Sequence, residues 1–470
     1  MTPALRLPPP PLPLPIPNPN PNGRKHITPP FLSRPSSTPA PSPFPISSPS
    51  AKRRISCSQK RTAPARYAVL GAGFAGLSVA WHLFKHSPRE SRVCVDIYDE
   101  VGVGGGASGA SGGLLHPYSP KAKVLWRGGE CWKECLKLLT VAEGAVQAKG
   151  LTLDASSFNF DKPIVLRRGI LRPATTEKNA EILKENAQNC LQSCTLEVLD
   201  GDAAHCRVPN LHVPFNSAIY MPQAMNIHPK KYLQALFLAC LNFTEGTTAS
   251  DCEEREMKLY RLSVSSFHEL AGKYDAVIVC LGAKYNTLLE LKGKLPLRTC
   301  RGVIAQLQLP NLDISGEYPN DSPSILSDAW LAFQGPQSVL MGSTWDWNSR
   351  NYSSEVTPEE LSKAFEELLP KASTVYPAIN RWELAGARAG LRAMPPLTPL
   401  GSLPLLGCVN DLVEGRSGCD YWLVGGLGAR GLLYHGLLGK LMAHAVISSD
   451  ATVLPSELTS WKQTKLVGTS

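Results

Sequence analysis

The stretch Tyr67–Gly113, YAVLGAGFAGLSVAWHLFKHSPRESRVCVDIYDEVGVGGGASGASGG, leaves this chain few folds to choose from. Apolar YAVLG turns through Gly71, Gly73 and Gly76 into LSVAWHLF, and a second apolar run, RVCVDIYD, ends in an acid. Strand, glycine turn, helix, strand and acid in that order form the βαβ dinucleotide fingerprint. Gly71 permits the tight turn, Gly73 lets backbone approach a pyrophosphate, and Gly76 lets helix pack close on strand. The helix N-terminus, with Phe74 and Ala75 in its first turn, offers free N–H groups to phosphate charge. Asp99, followed by Glu100, is placed to accept hydrogen bonds from ribose hydroxyls.

A glycine-rich run, GVGGGASGASGG, follows the acid directly where a nicotinamide dehydrogenase usually continues with a helix. Small residues here, Gly106, Ala107, Ser108 and Gly113 with Leu114 beyond, let backbone amides crowd a flat ring system and its phosphates. A flexible linker would not lead straight into apolar LLHPYS. The series GAGFAG, DIYDE, GGASGASGG resembles the FAD-binding start of the D-amino-acid oxidase superfamily.

The C-terminal third carries a second signal. A buried-type strand, YWLVGG, runs into GLGARG and then a helix, so Gly426, Gly428, Arg430 and Gly431 form another glycine turn at a helix start. Upstream lies GARAGLRAMPPLTPLGSLPLLG. Together these resemble the close of the same superfamily, and GGLGARGL and GASGASGGLLHPYS are most similar to the FAD-dependent half of the bacterial bifunctional enzyme that matures the wobble methylaminomethyl-thiouridine of tRNA. The resemblance covers Tyr67 to about Ile447 and omits that enzyme's methyltransferase half. It implies FAD as cofactor and arginines that anchor a substrate carboxylate, with Arg392 and Arg430 at the matching positions as a two-arginine clamp. The family's Pro-Asp-Gly is replaced by MPPLTPLG, and Met394 stands where a covalent flavin would need a cysteine, so non-covalent FAD is expected.

The first 66 residues are of another kind. They hold ten of the 48 Lys+Arg, no acid, and runs such as PPPPLPLPIPNPNPN. Such a segment cannot bury a core. An acid-free, Ser-rich, Arg-bearing arm reads as an organelle transit peptide, and its proline density favours chloroplast (stroma) over mitochondrion, with a cut near Ser56 or Cys57. Without the arm, 38 basic residues face 39 acidic ones, so the formal +9 belongs to the arm, and a broad nucleic-acid footprint is not expected. Scattered cysteines without CxxC or Cys/His spacing give no metal site and read as buried thiols of a reducing compartment. LLYHGLLGKLMAHAVI, broken by Lys440 and two histidines, reads as a packed helix and not a membrane span.

Between the two ends, Lys121–Lys149 has helical spacing through Leu125, Trp132, Leu136 and Leu139. KYDAVIVCLGA reads as a central parallel strand that ends at Gly282 on the cofactor. The strand preceding it is sought in LYRLSVSSF. RTCRGVIAQLQL, AWLAFQG and SVLMGSTW read as an antiparallel sheet, with Arg301 packing inside it, and PEELSKAFEELLPKA as a proline-started helix. Trp345 and Trp347 either line a pocket or cap the core edge. His116, Tyr118 and Lys121 follow the flavin loop without an assigned base.

The fold class expected is α/β, a Rossmann-like (GR2-type) FAD-binding domain interleaved with a mostly antiparallel-sheet substrate domain. The division is 1–66 transit peptide; 67–150, 273–295 and 385–450 FAD-binding; 151–272 and 296–384 mainly substrate domain; 451–470 tail. The activity implied is oxidation of a C–N bond in a small amine or amino acid by hydride transfer to flavin. Its rivals are removal of carboxymethyl from a tRNA wobble uridine, with tRNA as partner, and a non-catalytic FAD-bound assembly factor. No membrane or metal partner is expected.

Overall fold

The computed structural model describes residues 63–149, 160, 163–245, 255–310, 321–335, 337–414 and 418–462. The proposed transit peptide lies outside them except for its last four residues, and so does the tail beyond 462. Residues 61–470 form one compact unit.

The unit is built on two large sheets. The first has six strands in the order Leu405–Cys408, Asp420–Gly425, Ala276–Val279, Ala65–Leu70, Val93–Tyr98, Arg255–Tyr260. Its inner pairings are parallel, with Val69 opposite both Ile278 and Ile97, and Ile278 opposite Trp422. Strands covered on both faces need apolar side chains throughout, which is why Ala276–Val279 is buried at every position. Helix Phe74–His86 packs against helix Gly431–Ser448 on one face, and helices Gly128–Lys149 and Pro229–Glu245 join them there. The Ser78 hydroxyl donates to the His435 carbonyl at 2.8 Å across this seam.

The second sheet has eight strands and is antiparallel except where Ser324–Ile325 pairs with Ile170–Pro173. Its longest strands, Arg298–Gln308 and Glu383–Met394, pair along their whole length. Helix Pro358–Ser373 covers this sheet, started by Pro358 and by the Thr357 hydroxyl accepting from Glu360 N–H.

Three boundaries differ from the sequence reading. The edge strand Arg255–Tyr260 belongs to the first sheet, although 151–272 was assigned mainly to the substrate domain. It also starts earlier than LYRLSVSSF, in a segment whose charges alternate with buried positions because an edge strand has one wet side. Conversely, Glu383–Met394 completes the second sheet, so 385–394 leaves the nucleotide side. The helix expected from Lys121 begins at Gly128, past Leu125.

Candidate active site

A cavity of about 790 Å³ is walled by loops from the first sheet and strands from the second. Of the residues singled out from sequence, Gly71, Gly73, Phe74, Ala75, Asp99, Glu100, Gly106, Ala107, Ser108, Gly113, Leu114, Gly282, Arg392, Gly428, Arg430 and Gly431 all line it. Gly76 and Gly426 stand behind the wall. A Cβ on Gly76 would lie 1.8 Å from the Gly71 carbonyl oxygen, so that glycine serves the helix–strand approach. Gly426 takes a left-handed turn, φ +66°, against Leu297 and Pro395.

The two N-terminal glycine loops are locked to each other. Ser108 Oγ accepts from Phe74 N–H at 3.1 Å, and Gly104 N–H donates to the Ala72 carbonyl at 3.0 Å. Asp99 has a task that sequence did not reveal. One of its oxygens accepts from Ala72 N–H at 2.8 Å, and the other accepts from Val101 and Gly102 N–H at 3.1 and 2.8 Å. A carboxylate has about four acceptor positions, so the turn occupies most of them and leaves about one for a hydroxyl. Glu100 is paired with Lys284 on the cavity rim, which holds its carboxyl below the usual range.

Strand Glu383–Met394 builds the opposite wall by simple alternation. Side chains at i, i+2 and i+4 share a face. Arg388 donates to the carbonyls of Ala110 and Ser111 at 3.1 and 2.8 Å and so pins the glycine-rich loop. At Gly390 that loop presses in so closely that a Cβ would lie 2.7 Å from Ala107 Cα. Arg392 is next on the same face and looks into the cavity. Its Nη2 donates to Ser343 Oγ at 2.8 Å and to the Thr344 carbonyl at 3.1 Å, and its guanidinium lies over the Trp345 ring at 4.3 Å. Gly302 on the neighbouring strand makes the space, since a Cβ there would collide with Nη2. The other terminal nitrogen, Nη1, is buried and meets no hydrogen-bond partner among the described residues.

Arg430, His116 and Arg172 also line the cavity. Burial lowers the pKa of both guanidiniums, and each lowers it further in buried His116, which sits well below its ordinary value. His116 Nδ1 accepts from Tyr118 N–H at 3.3 Å, so the neutral ring carries its proton on Nε2. Arg430, Arg172 and His116 share the cavity with Arg392, which is held by Ser343, Thr344 and Trp345. Arg392 and Arg430, expected from sequence as one clamp, both line this cavity, and strand Glu383–Met394 touches the turn Gly428–Arg430. Arg172, Asp328, Trp330, Arg388 and Gly390 were not assigned roles from sequence. Only the alternation of arginine and glycine in ARAGLR held a clue to two of them.

Trp345 and Trp347 stack at 6.2 Å and are part-exposed, with Arg298 over the outer ring at 4.9 Å. Trp345 lines the cavity and Trp347 continues the stack outward. Arg301 packs inside the second sheet, fully buried. It holds Glu360 through two nitrogens and the carbonyls of Asn351, Ser353 and Glu355, fastening the loop that lines the cavity beside Lys284. Among the described residues no three metal-ligating side chains gather, no helix is long and apolar enough to cross a membrane, and every cysteine is a free thiol.

The model of the FAD-dependent oxidoreductase family, the D-amino-acid oxidase group, matches residues 66–445. The chain belongs to that family. A Rhizobium etli protein provisionally named as a thiamine biosynthesis oxidoreductase is 26% identical over 334 residues, 70% of this chain and 85% of that one. The tRNA 5-methylaminomethyl-2-thiouridine biosynthesis bifunctional protein of Polaromonas naphthalenivorans is 24% identical over 399 residues, and the match spans 57% of its length and 82% of this chain. Glycine oxidase from Geobacillus kaustophilus has the same fold, with a TM-score of 0.61 at 19% identity over 84% of this chain and 98% of that one. The FAD-dependent oxidoreductase is thus a mixed α/β flavoenzyme fold of this family, with parallel and antiparallel sheets.

The cavity residues fit FAD. The volume falls in the range of cofactor sites, about 300–1,000 Å³. The wall at Gly73 is a cradle that a Cβ would fill, at 2.8 Å from Ser108 Oγ. Gly73, Phe74 and Ala75, at the N-terminus of helix Phe74–His86, line the same wall, where a diphosphate would be stabilised.

Proposed function

We propose that this FAD-dependent oxidoreductase oxidises the C–N bond of a carboxylated amine, an amino acid or secondary amine, with FAD held non-covalently. One observation carries the reading: a buried arginine nitrogen, Nη1 of Arg392, has no hydrogen-bond partner among the described residues, on the wall of a cavity lined by glycine turns from both ends of the chain. An unpaired buried donor on a charged group is costly, and a substrate carboxylate supplies the missing acceptor.

When bound, the flavin supplies a two-electron acceptor for hydride. The glycine turn at Gly71–Gly76 and the loop Gly106–Gly113 would hold its nucleotide and ring portions, with Asp99 offering an acceptor to a ribose hydroxyl. Arg392 orients the carboxylate and so fixes which carbon faces the ring. The neutral His116 contributes an Nε2–H donor. The two guanidiniums beside it favour the unprotonated, reactive form of the amine by repelling an ammonium. In balance, R–NH–CH2–COO⁻ and water give R–NH2, glyoxylate, two protons and two electrons, and oxygen is the proposed terminal acceptor. Anaerobic mixing of the purified holoprotein with a panel of carboxylated amines tests this. Loss of the flavin absorbance in one class supports the reading, and a spectrum unmoved by every member removes it in favour of a non-catalytic FAD-bound factor.

A second reading is favoured by the Trp345–Trp347 stack with Arg298 at the cavity rim, a combination suited to a base and its phosphate. Here the amine would be a carboxymethylaminomethyl group on a tRNA wobble uridine, in line with the name of the Polaromonas relative. Salt-sensitive tRNA binding separates this reading from the first. The composition of residues 1–66 supports import into the chloroplast, which a fluorescent fusion of that segment tests.

A further inference from the structure

The end of the cavity at Asp99 and Glu100 has few side-chain groups left over to grip a nucleotide. Asp99 gives most of its acceptor positions to the turn at Ala72, and Glu100 is paired with Lys284. A loop from the second sheet reaches this end. Its Tyr352, Ser353, Ser354 and Glu355 line the cavity, and the Tyr352 ring lies 6.0 Å from Lys284 Nζ. Residues 351–355 are all exposed, so the loop has no apolar anchor of its own. Fixing such a segment costs conformational entropy that contacts from outside must offset. Those contacts come from Arg301, which is 1% exposed and stands behind the cavity wall. Its Nε and Nη2 donate to the Glu360 carboxylate at 2.5 and 3.0 Å. Its Nη1 donates to the carbonyls of Asn351 and Ser353 at 3.0 and 2.6 Å, and Nη2 also to that of Glu355 at 2.8 Å. All five N–H donors of the guanidinium are thereby used. Ala389 N–H adds a bond to the Ser354 carbonyl at 3.1 Å. A buried ion pair contributes little net stability, because desolvation offsets the attraction. This one fixes where three loop carbonyls sit.

We propose that residues 351–355 form a clasp over the adenosine half of FAD, and that Arg301 is the positioning residue that holds the clasp in place without touching the cofactor. The adenosine half is the one concerned because Asp99 stands where the dinucleotide fingerprint puts a ribose, and Lys284 links the neighbouring Glu100 to Tyr352. The first sheet then supplies the phosphate turn and the second sheet the cover. The proposal rests on FAD being held non-covalently and is independent of which amine is oxidised. If the loop is in place only part of the time, the apparent affinity for FAD falls in proportion to that fraction. FMN ends at its phosphate, carries no adenosine and gains nothing from the clasp.

The test starts from the flavin-loaded protein and has two readouts: the rate at which free-flavin fluorescence rises on dilution, and the equilibrium preference for FAD over FMN when the bound flavin is exchanged. Arg301→Lys keeps the charge but offers three donors from one nitrogen in place of a planar fork. It should release FAD at least about tenfold faster and narrow the preference for FAD over FMN by a similar factor. Tyr352→Ala, at an exposed side chain on the clasp itself, should shift both readouts the same way by at least about threefold, with the urea midpoint at saturating FAD unchanged. If Arg301→Lys does not fold, Tyr352→Ala decides alone. A generally loosened protein would release FAD faster yet keep its preference, because both flavins share the rest of the site. That result, or readouts unmoved by Tyr352→Ala, overturns the clasp. Flavin that stays with the acid-denatured protein refutes non-covalent binding and the clasp with it. Failure of every amine to bleach the flavin would remove the oxidation reading alone, while faster release and a narrowed preference in the variants would still support the clasp.

Discussion

Acid should weaken this fold through one histidine by an amount that can be worked out beforehand. His82, on helix Phe74–His86, is 2% exposed, and neither ring nitrogen meets a hydrogen-bond partner among the described residues. It stacks on His86 at 5.3 Å, and His86 in turn meets exposed His444 edge-on at 4.5 Å. Burial chiefly, then the neighbouring His86, Lys85 and Lys440, outweigh Glu134 and push the pKa of His82 down to about 3. A group depressed in the folded state favours folding while it is neutral. Its contribution is therefore intact above the unfolded value, about 6.5, and is lost as pH falls below that. At pH 5 the unfolded chain binds this proton and the folded one does not, and the loss relative to pH 7 is about 2 kcal/mol. The figure is insensitive to the folded value as long as that stays below about 4. Urea unfolding at pH 7 and pH 5, for the unaltered chain and for His82→Leu, measures it. The variant should lose less stability across the interval by about 2 kcal/mol, whatever its own stability at pH 7. Equal losses in the two proteins would refute the burial argument.

Other substitutions separate fold from site. Gly73→Val puts a branched side chain against Ser108 Oγ, so the protein should fold by circular dichroism yet purify without flavin absorbance. Gly76→Val instead meets the Gly71 backbone at 1.8 Å and should cost at least about 3 kcal/mol of stability in a denaturant titration. Arg392→Met should keep the flavin and weaken a carboxylated substrate by about 2–5 kcal/mol, read in kcat/KM and in binding of a carboxylate inhibitor. Unchanged affinity would take Arg392 out of the site.

What the sequence made legible was whatever depends on local backbone chemistry. The turn at Gly71–Gly76, the small-residue loop before Leu114, the doubly buried strand Ala276–Val279 and the turn around Gly428 need particular residue types next to one another, so they can be read in order. The strand Arg255–Tyr260 was obscured because its edge position lets charges alternate with apolar groups. Arg172 was hidden for a different reason. It is one arginine in a short strand, and only the fold brings it to the wall of the same cavity as Arg430, 258 positions away in sequence. Asp99 was found by motif, but its part in closing the turn at Ala72 was not, since a carboxylate serves a ribose or a backbone with equal ease.

The central claim is that glycine turns from opposite ends of one polypeptide enclose a flavin over which a carboxylated amine is oxidised. The most direct measurement is the absorbance of the purified protein, recorded anaerobically before and after addition of such an amine. The account predicts a yellow protein with flavin bands near their usual positions, released by denaturation and bleached by the substrate. A colourless protein that takes up no added FAD and binds a nicotinamide nucleotide instead would contradict it.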